Sequence, residues 1–168
     1  MNYILFDDHH RQQLYPFTLS RPVCEIRAGI LTIKQKWEKY LGQACACHTV
    51  NYLTGKYPCI SQENSQNACI FINGAVFPNH ELIQEINNLT ANTALVKDHK
   101  IIAVSCTSFD HNFDPNQHGF KATACNTAVQ MLEKPWEIFA QNGKNIQDDY
   151  SLLTKNRISA PIDASNQV

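Results

Sequence analysis

Three short apolar segments constrain the fold of this chain more than any other feature. Residues 3–6, 44–50 and 68–72 each have the length and apolar character of a strand in a sheet. Between the first two segments, residues 28–41 place apolar side chains on one helical stripe, namely Ile30, Ile33, Trp37 and Leu41. Strands that alternate with helices indicate an α/β fold with a mostly parallel sheet.

The middle of the chain predicts a helix followed by a β-hairpin. Asn79 is a suitable N-cap for a helix over 81–89, where apolar positions recur at helical spacing. Two strand-like segments, 93–97 and 101–106, then flank the polar residues 98–100. This arrangement is typical of a hairpin.

The last third of the chain combines a polar segment with two short helices. Pro135 suits the first position of a helix, and Gly143 suits the position just past a helix end. The polar segment is rich in Asp, Asn, His, Pro and Gly, which favours surface mobility. The predicted elements are a mobile loop over 107–122, helices over 136–142 and 148–154, and an extended tail over 155–168.

Length, charge and hydropathy exclude several classes of protein. The 168 residues fit one domain, which we expect over 1–154. A net charge of −1 argues against a protein that coats nucleic acid or an anionic membrane. No apolar run approaches the roughly 20 residues that cross a bilayer, and the first residues lack the basic start of a signal peptide. The sequence therefore predicts a cytoplasmic protein.

The chain contains 7 cysteines, none of them in a Cys-x-x-Cys pair. In a cytoplasmic protein, we expect reduced thiols that pack as small apolar side chains. Cys45 and Cys47 are predicted to share one face of a strand, since side chains alternate along a strand. A metal site that includes His48 is the alternative, but no second pair at a comparable spacing is present.

Two loops occupy the place where open α/β sheets bind ligands, at the carboxyl ends of the strands. These are residues 7–27 and 73–78, and Pro16 and Pro22 exclude a helix or a central strand from the first loop. Guanidinium groups match phosphate oxygens, and this loop gathers Arg11, Arg21 and Arg27. Two interpretations stay open, either phosphate binding or structural ion pairs with Asp7, Asp8 and Glu25.

Other familiar site devices are absent from the sequence. There is no Gly-x-x-x-x-Gly-Lys-Ser/Thr loop, no Gly-x-Gly-x-x-Gly after the first strand, and no Gly-x-Ser-x-Gly elbow. The adjacent His9 and His10 are predicted to be surface side chains of the first loop, because neighbours on an extended chain point apart.

Residues 14–31, which read Leu-Tyr-Pro-Phe-Thr-Leu-Ser-Arg-Pro-Val-Cys-Glu-Ile-Arg-Ala-Gly-Ile-Leu, resemble the signature of sugar-1-phosphate nucleotidyltransferases. Residues 68–74 resemble the strand that ends in Gly-Asp in that family. Residues 135–142, together with Asp149, are similar to a Pro-Trp-Asp segment of several members. Over nearly its whole length, the chain is similar to a divergent bacterial subgroup that continues into a left-handed β-helix.

The resemblance implies a nucleotide-diphospho-sugar transferase fold, a Rossmann-like three-layer sandwich. It implies Mg²⁺-dependent transfer of a nucleotidyl group from a nucleoside triphosphate to a sugar 1-phosphate, which supplies nucleotide sugars for cell-envelope polysaccharides. Carried over to this chain, the catalytic residues are Arg11 and Arg21, and Asp7 and Asp8 are the candidate metal ligands in place of the family's metal aspartate. The substrate-binding residues are Thr18, Pro22, Glu25, Arg27, Asn73 and Gly74.

The chain departs from the family pattern at three places. Residues 7–10, Asp-Asp-His-His, stand where the family has glycines, Val23 stands for a lysine, and Ala75 stands for the metal aspartate. Either the site is rebuilt, or the chain is a non-catalytic nucleotide-sugar-binding or regulatory module of the same fold. Residues 155–168 resemble the approach to a β-helix, so we expect a truncated chain whose full-length form can be a homo-oligomer. The alternative is a naturally short relative.

Overall fold

A computed structural model describes residues 1–59, 68–109, 113–116, 119–155 and 157–158. Its sheet has six strands in the order β2-β1-β3-β5-β4-β6. The strands are β1 (Asn2–Phe6), β2 (Ala46–His48), β3 (Cys69–Asn73), β4 (Thr93–Lys97), β5 (Lys100–Cys106) and β6 (Lys121–Ala124). The helices are α1 (Ile33–Leu41), α2 (His80–Asn87), α3 (Glu137–Ala140) and α4 (Asn142–Thr154).

Three of the five strand pairings are parallel, which confirms the mixed α/β fold with a mostly parallel sheet. β1 pairs in parallel with β2 and β3, and β4 pairs in parallel with β6. β5 is antiparallel to both β3 and β4. The predicted hairpin is confirmed as β4 and β5, and Asp98 and His99 turn the chain with φ values of 47° and 63°.

The two faces of the sheet pack against different elements, helices on one face and aromatic side chains on the other. Ile33 and Trp37 of α1 and Leu82 of α2 pack on one face, together with Cys45 and Cys47, which share a face as predicted. Trp37 Nε1 also donates a hydrogen bond to the Val76 carbonyl at 2.7 Å, which joins α1 to the segment after β3.

Aromatic side chains cover the opposite face. Phe71 of β3 meets Phe109 and Phe113 at ring-centroid distances of 5.2 and 4.7 Å, and Phe113 meets Phe120 at 6.0 Å. Among the described residues, the helical contribution to the core lies on the first face only. The Rossmann-like three-layer arrangement therefore stays a prediction. Residues 110–112 and 117–118 of the predicted mobile loop lie outside the described residues.

Helix α1 begins at Ile33, five residues later than the predicted start at 28. Thr32 and Gln35 form a capping box, in which each side chain accepts a hydrogen bond from the other residue's amide. Gly29 has a φ of +92°, which is outside the helical region. Ile30 therefore leaves the predicted stripe and is 38% exposed.

Two predictions for the last third were wrong. Lys121 and Ala122, assigned to the mobile loop, begin the edge strand β6. Gly143, assigned to a helix end, lies in the first turn of α4, which includes the whole gap between the two predicted helices. The physical reason is that Asn145 and Asp149 of α4 are buried against residues 29–31, and this contact fixes the helix.

Asn79 accepts a hydrogen bond from the Leu82 amide at 2.7 Å, which confirms the predicted N-cap of α2. The 7 cysteines carry thiols rather than disulfide bonds. None of the helices in the described ranges is long and apolar enough to cross a membrane. Most of the predicted tail, residues 156 and 159–168, lies outside the described residues, so the domain boundary at 154 stays a prediction.

Candidate functional site

The carboxyl ends of β1, β2 and β3 meet at one edge of the sheet. Asp7 and Asp8 follow β1 directly, Thr49 follows β2, and Asn73 is the last residue of β3. We define the strand-end cluster as Asp7, Asp8, His9, His10 and Asn73. Because ligands of open α/β sheets bind at this edge, the strand-end cluster is the candidate site.

Asp7 fixes the loop that follows β1. Its Oδ1 accepts a hydrogen bond from the Val23 amide at 2.8 Å, and its Oδ2 accepts from Thr49 Oγ1 at 2.6 Å and Arg11 Nε at 3.2 Å. Burial raises the pKa of Asp7 above its ordinary value, although these three hydrogen bonds act in the opposite direction. Both carboxylate oxygens have partners within the chain, so Asp7 positions the loop.

The Arg11 guanidinium is buried, and its donors are engaged inside the protein. Besides Asp7, it donates to the Thr18 carbonyl, and its Nη1 and Nη2 lie 3.5 Å from Tyr15 Oη and 3.4 Å from Tyr52 Oη. The Thr18 hydroxyl donates to the Arg11 carbonyl at 2.8 Å and is fully buried. Arg11 and Thr18, expected to contact substrate, hold the loop together in this structure.

Asp8, His9 and His10 bring one carboxylate and two imidazoles together. Asp8 Oδ1 accepts a hydrogen bond from the His10 amide at 2.9 Å, and Asp8 Oδ2 lies 3.0 Å from His10 Nδ1. The centroids of the two imidazole rings are only 3.8 Å apart. His9 is exposed as predicted, but the expectation that the two side chains point apart was wrong, because a 3₁₀ turn over His9–Leu14 replaces an extended backbone.

Asn73 connects β3 to Asp8. Its Nδ2 donates to Asp8 Oδ2 at 3.0 Å and to the Ile101 carbonyl at 3.2 Å, and its Oδ1 accepts from the Ala75 amide at 3.0 Å. The next residue, Gly74, is buried, and an added Cβ there would lie 3.1 Å from the carbonyl oxygen of Phe6. Asn73 therefore orients the strand-end cluster, whereas Gly74 permits close backbone packing.

The remaining predicted site residues lie on the surface of the same loop or just below it. Pro22 is buried, and Glu25 forms a partly exposed ion pair with Lys34 at 3.5 Å. Arg27 is exposed and donates to the Ile30 carbonyl. Arg21 is exposed and has no hydrogen-bond or ion-pair partner in the part of the chain that the structure describes. Its guanidinium is therefore free to bind an anion.

A second buried ion pair closes the far end of this loop. Asp149 of α4 pairs with Lys36 of α1, and its Oδ2 accepts from the amides of Ile30 at 2.9 Å and Leu31 at 3.0 Å. Burial lowers the pKa of Lys36 despite this partner. A cavity of about 420 Å³ opens beside the pair and is lined by residues of α1, α4, residues 77–79 and residues 128–130.

The sequence pattern missed the partners that fix the loop. The contacts of Thr49 and Tyr52 with the strand-end cluster and Arg11 depend on β2 lying beside β1, which no local spacing encodes. Lys36 lies on a helix where charged residues are ordinary, and Asp149 is distinguished only by the similarity of residues 135–142, together with Asp149, to a family segment. Pairing at a separation of 113 residues leaves no periodic signal.

The donor atoms at this edge include two imidazoles, which are not the oxygen ligands that Mg²⁺ prefers. Asp7 is already paired with the buried Arg11 guanidinium, and Ala75 offers no side-chain ligand. What remains near Asp8 is one carboxylate with two imidazoles. Imidazole nitrogen suits first-row transition metals, whereas carboxylate and water suit Mg²⁺.

Comparison with known proteins adds one finding. A family model described as sugar nucleotidyl transferase matches residues 3–158, which is most of the chain. No curated protein matches the chain.

Proposed function

The chain belongs to the sugar nucleotidyl transferase family, and on that premise we propose that it makes nucleotide sugars. In the proposed reaction, a phosphate oxygen of a sugar 1-phosphate attacks the α-phosphorus of a nucleoside triphosphate. A bond forms between that oxygen and the α-phosphorus, and the bond from the α-phosphorus to the bridging oxygen breaks, which releases pyrophosphate. This chemistry depends mainly on positioning and electrostatic stabilisation.

The observation that carries the proposal is Arg21, which has no partner among the described residues and lies on a loop that is fixed at the strand-end edge. The Val23 amide bonds to Asp7 Oδ1 at 2.8 Å, and this bond holds the neighbouring residues beside the end of β1. An exposed guanidinium on a fixed loop supplies planar donors for a phosphate without first breaking an internal contact. Arg21 is therefore our proposed catalytic residue.

The other loop residues take supporting roles in the proposal. Arg11 is a positioning residue, because its guanidinium bonds to Asp7 and to the Thr18 carbonyl. Glu25 and Arg27 belong to the same loop as Arg21, with Arg27 exposed and Glu25 partly exposed, and they are our candidates for sugar contacts.

The test measures pyrophosphate release by the purified chain with a panel of nucleoside triphosphates and sugar 1-phosphates. Each pair is assayed with Mg²⁺, Mn²⁺, Co²⁺ and Zn²⁺ in turn. We expect release with one pair and a loss of about 100-fold in kcat/KM for Arg21→Gln, because one charged donor to the transition state is removed. The control Arg157→Gln alters an exposed arginine outside the loop and should retain activity. Absence of release with every pair and every cation would overturn the proposal.

A second candidate is a non-catalytic module that binds a nucleotide sugar. It is favoured by the internal pairing of Asp7 with Arg11 and by Ala75 at the position of the family's metal aspartate. Calorimetry separates the two candidates. A binding module should take up a nucleotide sugar without any divalent cation and should release no pyrophosphate from the substrates.

A further inference from the structure

We propose that Asp8, His9 and His10 bind a first-row transition-metal dication of the Mn²⁺, Co²⁺ and Zn²⁺ class. The metal's use in catalysis rests on the proposed function, but its binding does not. The inference starts from the two imidazoles beside Asp8, which are ligands that transition metals prefer and Mg²⁺ does not. One carboxylate and two imidazoles, with the remaining positions open, form the ligand set that proteins use for such metals.

The three side chains already lie close to the geometry that one metal ion requires. One ligand atom from each residue lies within 4.8 Å of the other two. Ligand bonds of about 2.1 Å place neighbouring donor atoms roughly 3.0–3.4 Å apart. His10 Nδ1 and Asp8 Oδ2 lie 3.0 Å apart, so a metal ion would replace the hydrogen bond between them, and the exposed His9 side chain would rotate toward the ion.

The carboxylate is held in place by residues that do not themselves bind the metal. Asn73 donates to Asp8 Oδ2 at 3.0 Å and is fixed by Ile101 and Ala75. The His10 amide donates to Asp8 Oδ1 at 2.9 Å. Such outer contacts orient ligands and reduce the rearrangement that metal binding demands.

The local charge favours a cation. Asp7 and Arg11 form an ion pair at 3.2 Å, so their charges offset each other. Asp8 then contributes one negative charge beside two imidazoles that are neutral when they bind metal. A dication at this edge would neutralise Asp8 and leave positive charge facing solvent, where a phosphate can approach.

A purely structural role explains part of the cluster but not all of it. Asp8 caps the turn that begins at His9, and this cap accounts for its contact with His10. His9 has no part in the cap, yet its ring lies 3.8 Å from that of His10. In the described ranges, no other group of three His, Cys, Asp or Glu side chains is arranged to hold a metal. Cys45, Cys47 and His48, the alternative metal site considered from the sequence, therefore do not form such a group.

The test titrates the nucleotide-free chain with CoCl₂, ZnCl₂ and MgCl₂, using calorimetry for all three and visible absorption for Co²⁺. We expect one Co²⁺ or Zn²⁺ per chain and binding at least ~10-fold weaker for His9→Ala and for His10→Ala. The matched control is His99→Asn in the hairpin turn, where asparagine tolerates the φ of 63°. This control should bind metal as the unaltered chain does, and thermal melts verify that each variant folds.

Three results would overturn the metal site. These are equal affinity in the unaltered chain and His9→Ala, binding of Mg²⁺ as tight as that of Co²⁺, and a Co²⁺–thiolate charge-transfer band, which would assign the ion to a cysteine. The two proposals fail separately. Pyrophosphate release with Mg²⁺, together with no Co²⁺ binding, would overturn only the proposed metal site. Co²⁺ binding that depends on His9, without any pyrophosphate release, would overturn only the proposed transferase activity.

Discussion

Two buried ion pairs hold the loop between β1 and α1, one near each end. Asp7 and Arg11 are four residues apart at its start, whereas Lys36 and Asp149 are separated by 113 residues. In both pairs the carboxylate also accepts hydrogen bonds from loop amides, of Val23 in the first case and of Ile30 and Leu31 in the second.

The difference between the pairs lies in what must already be folded. The Asp7–Arg11 pair forms within one turn of the loop, so it organises the strand-end cluster locally. The Lys36–Asp149 pair exists only when α4 docks on α1. The first pair therefore reports on the candidate site, and the second reports on the assembly of the whole chain.

The largest effect is expected for Asp149→Ala. The substitution leaves the buried Lys36 ammonium without its counter-charge and the amides of Ile30 and Leu31 without their acceptor. The free energy of unfolding should therefore fall by about 3–5 kcal/mol. Urea denaturation measures the loss. The neighbouring Asp148→Ala removes only an exposed pair with Lys144 and should cost less than about 0.5 kcal/mol. Equal effects of the two variants would show that the distant pair does not hold α4.

A smaller effect is expected for Asp7→Ala. It removes the acceptor for Val23, Thr49 and Arg11, and we expect a loss of about 2–3 kcal/mol in the free energy of unfolding. Asp7→Asn keeps an acceptor oxygen of the same size, and burial already disfavours charge here, so it should cost less than Asp7→Ala. A larger loss in the free energy of unfolding for Asp7→Asn than for Asp7→Ala, measured in the same urea titration, would contradict this account of the local pair.

The smallest expected effect is an opposite pH dependence of the two pairs. Burial raises the pKa of Asp7 above 3.8, so its contribution to stability is complete below pH 3.8 and is lost as the pH rises through the folded-state pKa. Burial lowers the pKa of Lys36 below 10.5, so stability is gained as the pH rises through the lowered pKa toward 10.5.

Free energies of unfolding measured across pH test this contrast. The difference between the unaltered chain and Asp7→Asn should shrink from acid toward neutral pH. The difference between the unaltered chain and Lys36→Met should grow from neutral pH toward 10.5. Profiles that run parallel to that of the unaltered chain in both windows would mean that neither group titrates differently in the folded state.

Elements fixed by short-range chemistry were predictable from the sequence. The strand over 3–6, the Asn79 cap and the hairpin around Asp98 and His99 each depend on a few adjacent residues, and the structure contains all three. The start of α1 was missed because the apolar stripe continues through Ile30, although Gly29 and the Thr32 capping box end the loop after it. Periodicity locates a helix but not its cap.

The location of the candidate site was predictable from the sequence, but the hydrogen-bond partners of its residues were not. Sheet topology correctly put loop 7–27 at the strand ends, but the partners of Arg11 were not foreseen, since Tyr52 approaches it from 41 residues away. Convergence of His9 and His10 depends on a 3₁₀ turn that the sequence pattern did not indicate. Loop conformation decides which donors face each other, and tertiary packing decides the loop conformation.

The hydrogen bond that joins Trp37 to the Val76 carbonyl has an optical consequence. The chain has 2 tryptophans, and their surroundings are opposite, since Trp37 is fully buried whereas Trp136 beside α3 is 65% exposed. Emission from Trp37 arises from the apolar core, on the buried side of α1. A quencher dissolved in water reaches the exposed Trp136 first. Fluorescence therefore separates loss of the core from fraying near α3 and α4 without any added label.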